Sequence, residues 1–346
     1  MIKKTKIYRK KFHKFSKYKK KKKNHLLYKT FYVLILFSIS ILFFIDEHNN
    51  YYSIQKEIEK EVEKIEPSQK PFTLEDVKND FESIVNRYKY LIKNEKNIAE
   101  NCPIWMMWYQ GIETASPLIL SCIQSVIENR AKHPVIIITK YNIDKYIKLP
   151  SYIMEKFNNK TFTLTHFSDI VRVALLFKYG GYWIDATYFV TTPITKVDTI
   201  FYTLKLDYCF INSHPFVKCI WSVNYIAVAK NSFFAAFAYH AFLLYWKKYN
   251  SLIDILLIDY VVHIAYNNIP EFKNIFYKIP FVPCNIFTLY GKLNSEYKKS
   301  DICHFNKLNK KFTYKHTDNI ISHYEHLIKH YKFNFNNINR NYILNI

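Results

Sequence analysis

Glycine is nearly missing from this chain, with four in 346 residues. No G-x-G-x-x-G and no Walker loop can be assembled from so few, which excludes a Gly-rich backbone cradle for phosphate. Six cysteines (Cys102, Cys122, Cys209, Cys219, Cys284, Cys303) show no C-x-x-C and no zinc-ligand spacing. A zinc ribbon and a thioredoxin-like redox motif are therefore excluded, leaving buried thiols with room for one structural disulfide. No internal repeat is visible. Acidic residues are absent from residues 1–29, which carry 14 Lys or Arg. Setting those 14 against the formal +22 leaves only +8 for the other 317 residues. The basic excess is a tail rather than a charged body; a nucleic-acid reading would rest on that tail alone, and the apolar run adjoining it argues against one.

That tail stands directly before FYVLILFSISILFFI (Phe31–Ile45), an apolar run of 15 residues. Counting Leu26 and Leu27, with Lys29 snorkelling to the interface, brings it to the ~20 residues a span needs. Lysines before an apolar run follow the positive-inside rule. The reading is a basic cytoplasmic tail (1–25) and a signal anchor in the lipid bilayer (26–45), with the remainder lumenal or extracytoplasmic. A cleaved signal fits less well, because Asp46–Asn50 offers no small-residue cleavage site; a soluble core helix is the third reading.

Residues 46–100 read as a helical stem. Ile54, Ile58, Val62 and Ile65 form a thin apolar seam among alternating Glu and Lys, ended by Pro67 and Pro71. Weak self-association through that seam is one reading of it. Phe72–Glu100 is a further polar-faced helix. From Cys102 the texture changes. IWMM (Ile104–Met107), VIIIT (Val135–Thr139) and TFTLTHF (Thr161–Phe167) read as strands. SPLILSCIQSVIEN (Ser116–Asn129) and Ile143–Phe157, broken at Pro150, read as helices. Such alternation predicts an α/β fold with a mostly parallel sheet over residues 101–346.

The stretch FSDIVRVALLFKYGGYWIDATYF (Phe167–Phe189) sets two aspartates and an arginine in an otherwise apolar segment. Ser168 reads as a helix N-cap, with Asp169 in the first turn and Arg172 one turn on. Gly180 is the expected C-terminal glycine and Gly181 permits a tight return. YWI then makes a buried strand that delivers Asp185 to its carboxyl end, where open α/β sheets bind ligands. Asp169, Arg172 and Asp185 are thus expected to converge on one crevice. A buried pair that only orders the core, with Asp185 as a turn residue, is the plainer alternative.

The full pattern S-D-x-x-R-x-x-x-L-x-x-x-G-G-x-W-x-D-A-T resembles nucleotide-sugar-dependent glycosyltransferases of the GT-A fold. It is most similar to the capsular polysaccharide synthesis protein family, a relative of glycosyltransferase family 32 and, further off, of the large clostridial glucosylating toxins. The resemblance covers roughly residues 100–330 and includes IWMMWYQGIETASPLILSCIQSV, LLIDYVVHIAYNNIP and KKFTYKHTDN.

It implies transfer of a sugar from a UDP- or GDP-sugar to a glycan, polysaccharide or glycoconjugate acceptor, with retention. It implies that Trp108 stacks on the base beside Gln110 and Gly111. Asp169, Arg172 and Gly181 would serve the donor sugar and diphosphate, with Lys315 and His316 reaching in from the last block. Asp259 is the candidate acceptor base or a structural carboxylate. Asp185 matches the first acid of the Asp-x-Asp motif, and Thr187 replaces the second. A divalent cation, Mn²⁺ or Mg²⁺, is implied at Asp185 and Thr187, although a hydroxyl brings oxygen without charge. The same replacement motivates a rival: a catalytically weakened relative that binds sugar nucleotide or glycan.

Overall fold

The computed structural model describes residues 52–92, 96–207, 216 and 219–335. The basic tail and the expected anchor lie outside the described residues. No helix among those described is long and apolar enough to cross a membrane. The chain divides into a unit ending at Glu57 and a unit beginning at Ile58, and the second contains the sheet and the site.

Leu74–Val85 is a helix capped by Thr73, whose side chain and N–H pair reciprocally with Asp76. Its buried face (Val77, Phe81, Ile84, Val85) packs onto the helices Phe233–Lys248 and Leu257–Asn268. Phe81 sits edge-on to Phe237, with ring centroids 6.5 Å apart. This helix, expected in the stem, is therefore built into the body.

The strands are β1 (Ile104–Met107), β2 (Val135–Ile138), β3 (Gly181–Ile184), β4 (Tyr188–Val190), β5 (Phe201–Thr203), β6 (Tyr225–Val228) and β7 (Phe305–Lys307). Five of them form the central sheet in the order β2-β1-β3-β6-β5. β1 is parallel to β2 and β3, while β6 is antiparallel to both β3 and β5. Within that sheet only β6 runs against the rest, so the α/β, mostly parallel expectation holds. β4 and β7 form a separate antiparallel pair, with Tyr188 opposite Lys307.

Strand side chains alternate between faces, and the sequence uses both. Ile104, Met106, Tyr182 and Ile184 join Ile119, Ile123 and Val126 of the Pro117–Glu128 helix in one apolar cluster. Trp105 and Trp183, partners in register across β1 and β3, take the alternate positions. The Trp105 indole donates to the Gly180 carbonyl at 2.9 Å and packs 5.2 Å from Tyr179, at the end of the Leu164–Tyr179 helix. The Arg172 guanidinium of the same helix lies 4.9 Å over the Trp183 ring. Two tryptophans thus set where this helix lies.

One expected strand is not there. The sequence predicts a strand over residues 161–167 with Ser168 as helix cap, but the helix starts at Leu164, behind an extended Thr163. Thr161, Thr163 and Thr165 alternate with Phe162 and Leu164 as a strand would. Tertiary packing overrides that pattern: Phe162 and Phe167 stack on Phe157 of the preceding helix at 6.1 and 4.0 Å. Leu164, Phe167 and Val171 also keep the three- and four-residue spacing of a helix face. Asp169 therefore lies in the second turn, not the first. Its one-turn spacing to Arg172 is unaffected.

The helix does end at Gly180, with φ +66. At Gly181, φ is +97 and an added Cβ would meet the Pro103 carbonyl oxygen at 2.2 Å. The glycine pair lets the chain turn tightly from the helix into β3, against Pro103.

Candidate active site

β3 ends at Ile184, and the next residue, Asp185, is held by three cations or donors. Its Oδ1 accepts from Arg172 Nη2 at 3.2 Å and from the Trp183 indole at 2.9 Å. Its Oδ2 accepts from Lys307 Nζ at 2.7 Å. The Arg172 guanidinium also reaches Asp169 Oδ1 at 3.2 Å through Nη1, so one guanidinium ties helix to strand end. The same Lys307 ammonium donates to Thr187 Oγ1 at 2.7 Å. Arg172 Nε is buried without an acceptor among the described residues.

A cleft opens over this network. Its floor is Trp183, Asp185, Ala186 and Thr187; one wall is Met107–Gln110, the last residue of β1 and the three that follow. Leu164, Thr165, Ser168 and Arg172 of the long helix form the other wall, and Lys310 stands at the rim. The crevice thus lies at the carboxyl ends of parallel strands, as an open α/β sheet predicts.

The two carboxylates beneath it differ. Burial acts to raise Asp185, but the charges of Lys307 and Arg172, with hydrogen bonds from Lys307 and Trp183, outweigh it and hold the group below the usual carboxylate range. Burial pushes Asp169 up to about 7, exceeding the pull of Arg172, with the charges of Asp185 and Asp259 adding to the rise.

Of the residues singled out from sequence, Trp108, Gln110, Arg172, Asp185 and Thr187 line the cleft. Asp169 is buried below it. Gly111 acts on Trp108 at one remove. Its carbonyl accepts from the Thr114 hydroxyl at 2.8 Å, and that hydroxyl accepts from the Trp108 indole at 3.0 Å. Asp259 is buried in the first turn of its helix and accepts from the Trp221 indole at 3.1 Å. Three expected residues stand elsewhere. Gly181 is at the amino end of β3, opposite Asp185, where it serves close backbone packing. The Lys315 backbone N–H donates to Asn294, and His316 faces Asp318 and Glu325; neither side chain lines the cleft.

Lys307 and Lys310 were missed. Both lie in FNKLNKK (Phe305–Lys311), one of several lysine-rich stretches, and no local pattern marks which lysine turns inward.

The implied divalent cation does not fit this donor set. Mg²⁺ and Mn²⁺ want several bare oxygens. Here both Asp185 oxygens and the Thr187 hydroxyl already accept from cationic or indole donors. Among the described residues no three His, Cys, Asp or Glu gather to hold a metal.

The family model for "Capsular polysaccharide synthesis protein" matches residues 50–331. No curated protein matches the chain. A solved structure titled "PaToxG Glycosyltransferase" is similar at 16% identity with a TM-score of 0.26. The match covers 45% of this chain and 64% of that one, so the chain spans under two thirds of that structure.

Proposed function

The chain belongs to the capsular polysaccharide synthesis protein family, and from that premise we propose that it is a glycosyltransferase using a nucleotide-sugar donor. One observation carries the reading: Arg172 and Lys307 converge on Asp185 at the floor of a cleft, at the carboxyl ends of β1 and β3.

Nucleotide-sugar chemistry wants such a floor. The bond between the sugar's anomeric carbon and the diphosphate breaks, and the electron pair leaves on a phosphate oxygen. A new bond forms from the acceptor hydroxyl, whose proton is lost to a base or to solvent. Fixed cations at the diphosphate stabilise the charge that develops there. Arg172 brings a fork with a free Nε–H, suited to phosphate oxygens. Trp108 offers an indole face to the base, with Gln110 beside it. Asp169 holds Arg172 from below, and Asp185 orients both cations and faces the donor sugar. Asp259, bonded to Trp221, acts as a structural carboxylate in this arrangement. The acceptor is a glycan, polysaccharide or glycoconjugate, and the family resemblance supports retention.

We place the catalytic body across the membrane from the basic tail, anchored by residues 26–45. Cys284 and Cys303 are joined by a disulfide, which favours an oxidising compartment. Protease protection in intact vesicles tests that orientation: cleavage of the tail, with the body spared, is the expected pattern.

The activity test is a panel of UDP- and GDP-sugars incubated with the purified chain. Release of nucleoside diphosphate from one donor, abolished by Asp185→Asn, supports the enzyme. Thr187 in place of an acid favours the second reading, a binding relative; saturable binding of a donor without turnover would establish it.

A further inference from the structure

We propose that Lys307 is the resident cation of the donor site, held between Asp185 and Thr187, so that the diphosphate is bound without a divalent metal. This rests on the reading of the cleft as a nucleotide-sugar site.

The geometry is that of a bridging cation. Lys307 Nζ stands 2.7 Å from Asp185 Oδ2 and 2.7 Å from Thr187 Oγ1, the two side chains to which the family resemblance assigns a metal. An ammonium has three N–H donors, and two are used here, so one remains for a phosphate oxygen. The Thr187 substitution then has a physical reason. A second carboxylate would set another negative charge against the diphosphate, whereas a hydroxyl accepts from the ammonium without charge.

Lys307 is also fixed, as a resident cation must be. It lies in β7, opposite Tyr188 of β4, and its ammonium stands 5.1 Å from the Tyr188 ring. Its backbone N–H donates to the Ile286 carbonyl at 2.8 Å. The residue before it, Asn306, is fully buried and donates to Phe189 at 3.2 Å and to Cys303 at 2.6 Å. Cys303 is itself tied to Cys284 by the disulfide. A covalent link and a buried amide thus position the strand that presents the ammonium.

Charge count agrees. Arg172 and Lys307 bring two positive charges against the carboxylates of Asp185 and Asp169, and Lys310, also lining the cleft, adds a third for a diphosphate.

The test is calorimetric binding of UDP and of GDP to the purified full-length chain, once with EDTA and once with Mn²⁺. One nucleotide should bind in EDTA with an affinity that Mn²⁺ changes by less than about threefold, well under the tenfold that 1.4 kcal/mol represents. Lys307→Ala should lose about tenfold or more in EDTA, as expected for a lost charged hydrogen bond, while Lys307→Arg keeps most of the affinity. Wild-type binding that vanishes in EDTA and returns with Mn²⁺ would overturn the proposal while leaving the nucleotide-sugar reading intact. Absence of binding by either nucleotide in both conditions, with the protein folded by circular dichroism, would overturn both. The wild-type comparison decides the matter even if Lys307→Ala does not fold.

Discussion

Arg172 and Asp185, thirteen residues apart, meet through Nη2 and Oδ1 at 3.2 Å, across the turn from a helix to the strand that follows it. Neither is free to move alone. Arg172 is also bound to Asp169 and lies over Trp183, while Asp185 is bound to Lys307. The contact joins the fold's core to its cleft.

Breaking it should therefore cost stability as well as activity. Arg172→Ala leaves Asp169 buried beside no cation, and loss of one partner of a buried pair costs about 3–5 kcal/mol. Denaturant titration should show that loss. Arg172→Lys should recover part of the stability and little of the donor turnover, because a point charge cannot reach both carboxylates and still offer Nε–H.

Asp169 sets the pH behaviour. Its carboxyl, pushed up to about 7 by burial, keeps its proton in the folded chain where the unfolded chain has released it. Between about pH 4 and pH 7 the folded state binds more protons, so this group makes stability fall as pH rises through that window. Activity should run the other way, since ionised Asp169 holds Arg172 in place. A profile of kcat/KM against pH should rise through an inflection near 7, and Asp169→Asn should remove both the inflection and that slope in stability.

Gly181 separates packing from binding. Gly181→Ala forces a side chain onto a positive φ and toward the Pro103 oxygen. The expected result is a loss of about 2 kcal/mol or more in chemical denaturation. A normally stable variant with a raised KM would instead give Gly181 the donor-binding role the sequence suggested.

Trp108 should act on binding. Removing a ring that stacks on a base costs about 1–3 kcal/mol. Trp108→Ala should then raise the donor KM about tenfold or more with a smaller change in kcat, and Trp108→Phe should recover much of it. Equal effects of both on folding would make Trp108 a packing residue.

Much of this was legible in the sequence because the signals were local. The apolar runs Ile104–Met107 and Val135–Ile138, the Gly180–Gly181 break and the strand leading to Asp185 all depend on neighbours in the chain. The start of the long helix was not, because Phe162 and Phe167 take their positions from Phe157 rather than from their own alternation. Lys307 was illegible for a stronger reason. Its partners Asp185 and Thr187 lie more than a hundred residues earlier, and only the β4–β7 pairing brings them together. The resemblance points to Lys315 and His316 as the cations of the C-terminal block, yet the lysines at the cleft belong to the strand and turn before them.

The most direct measurement is a crystal structure of the chain with the UDP or GDP that binds it. The diphosphate should lie within hydrogen-bond reach of Arg172 and Lys307, with the base against Trp108. A nucleotide bound elsewhere on the chain, with the Arg172–Asp185–Lys307 cluster left untouched, would contradict it.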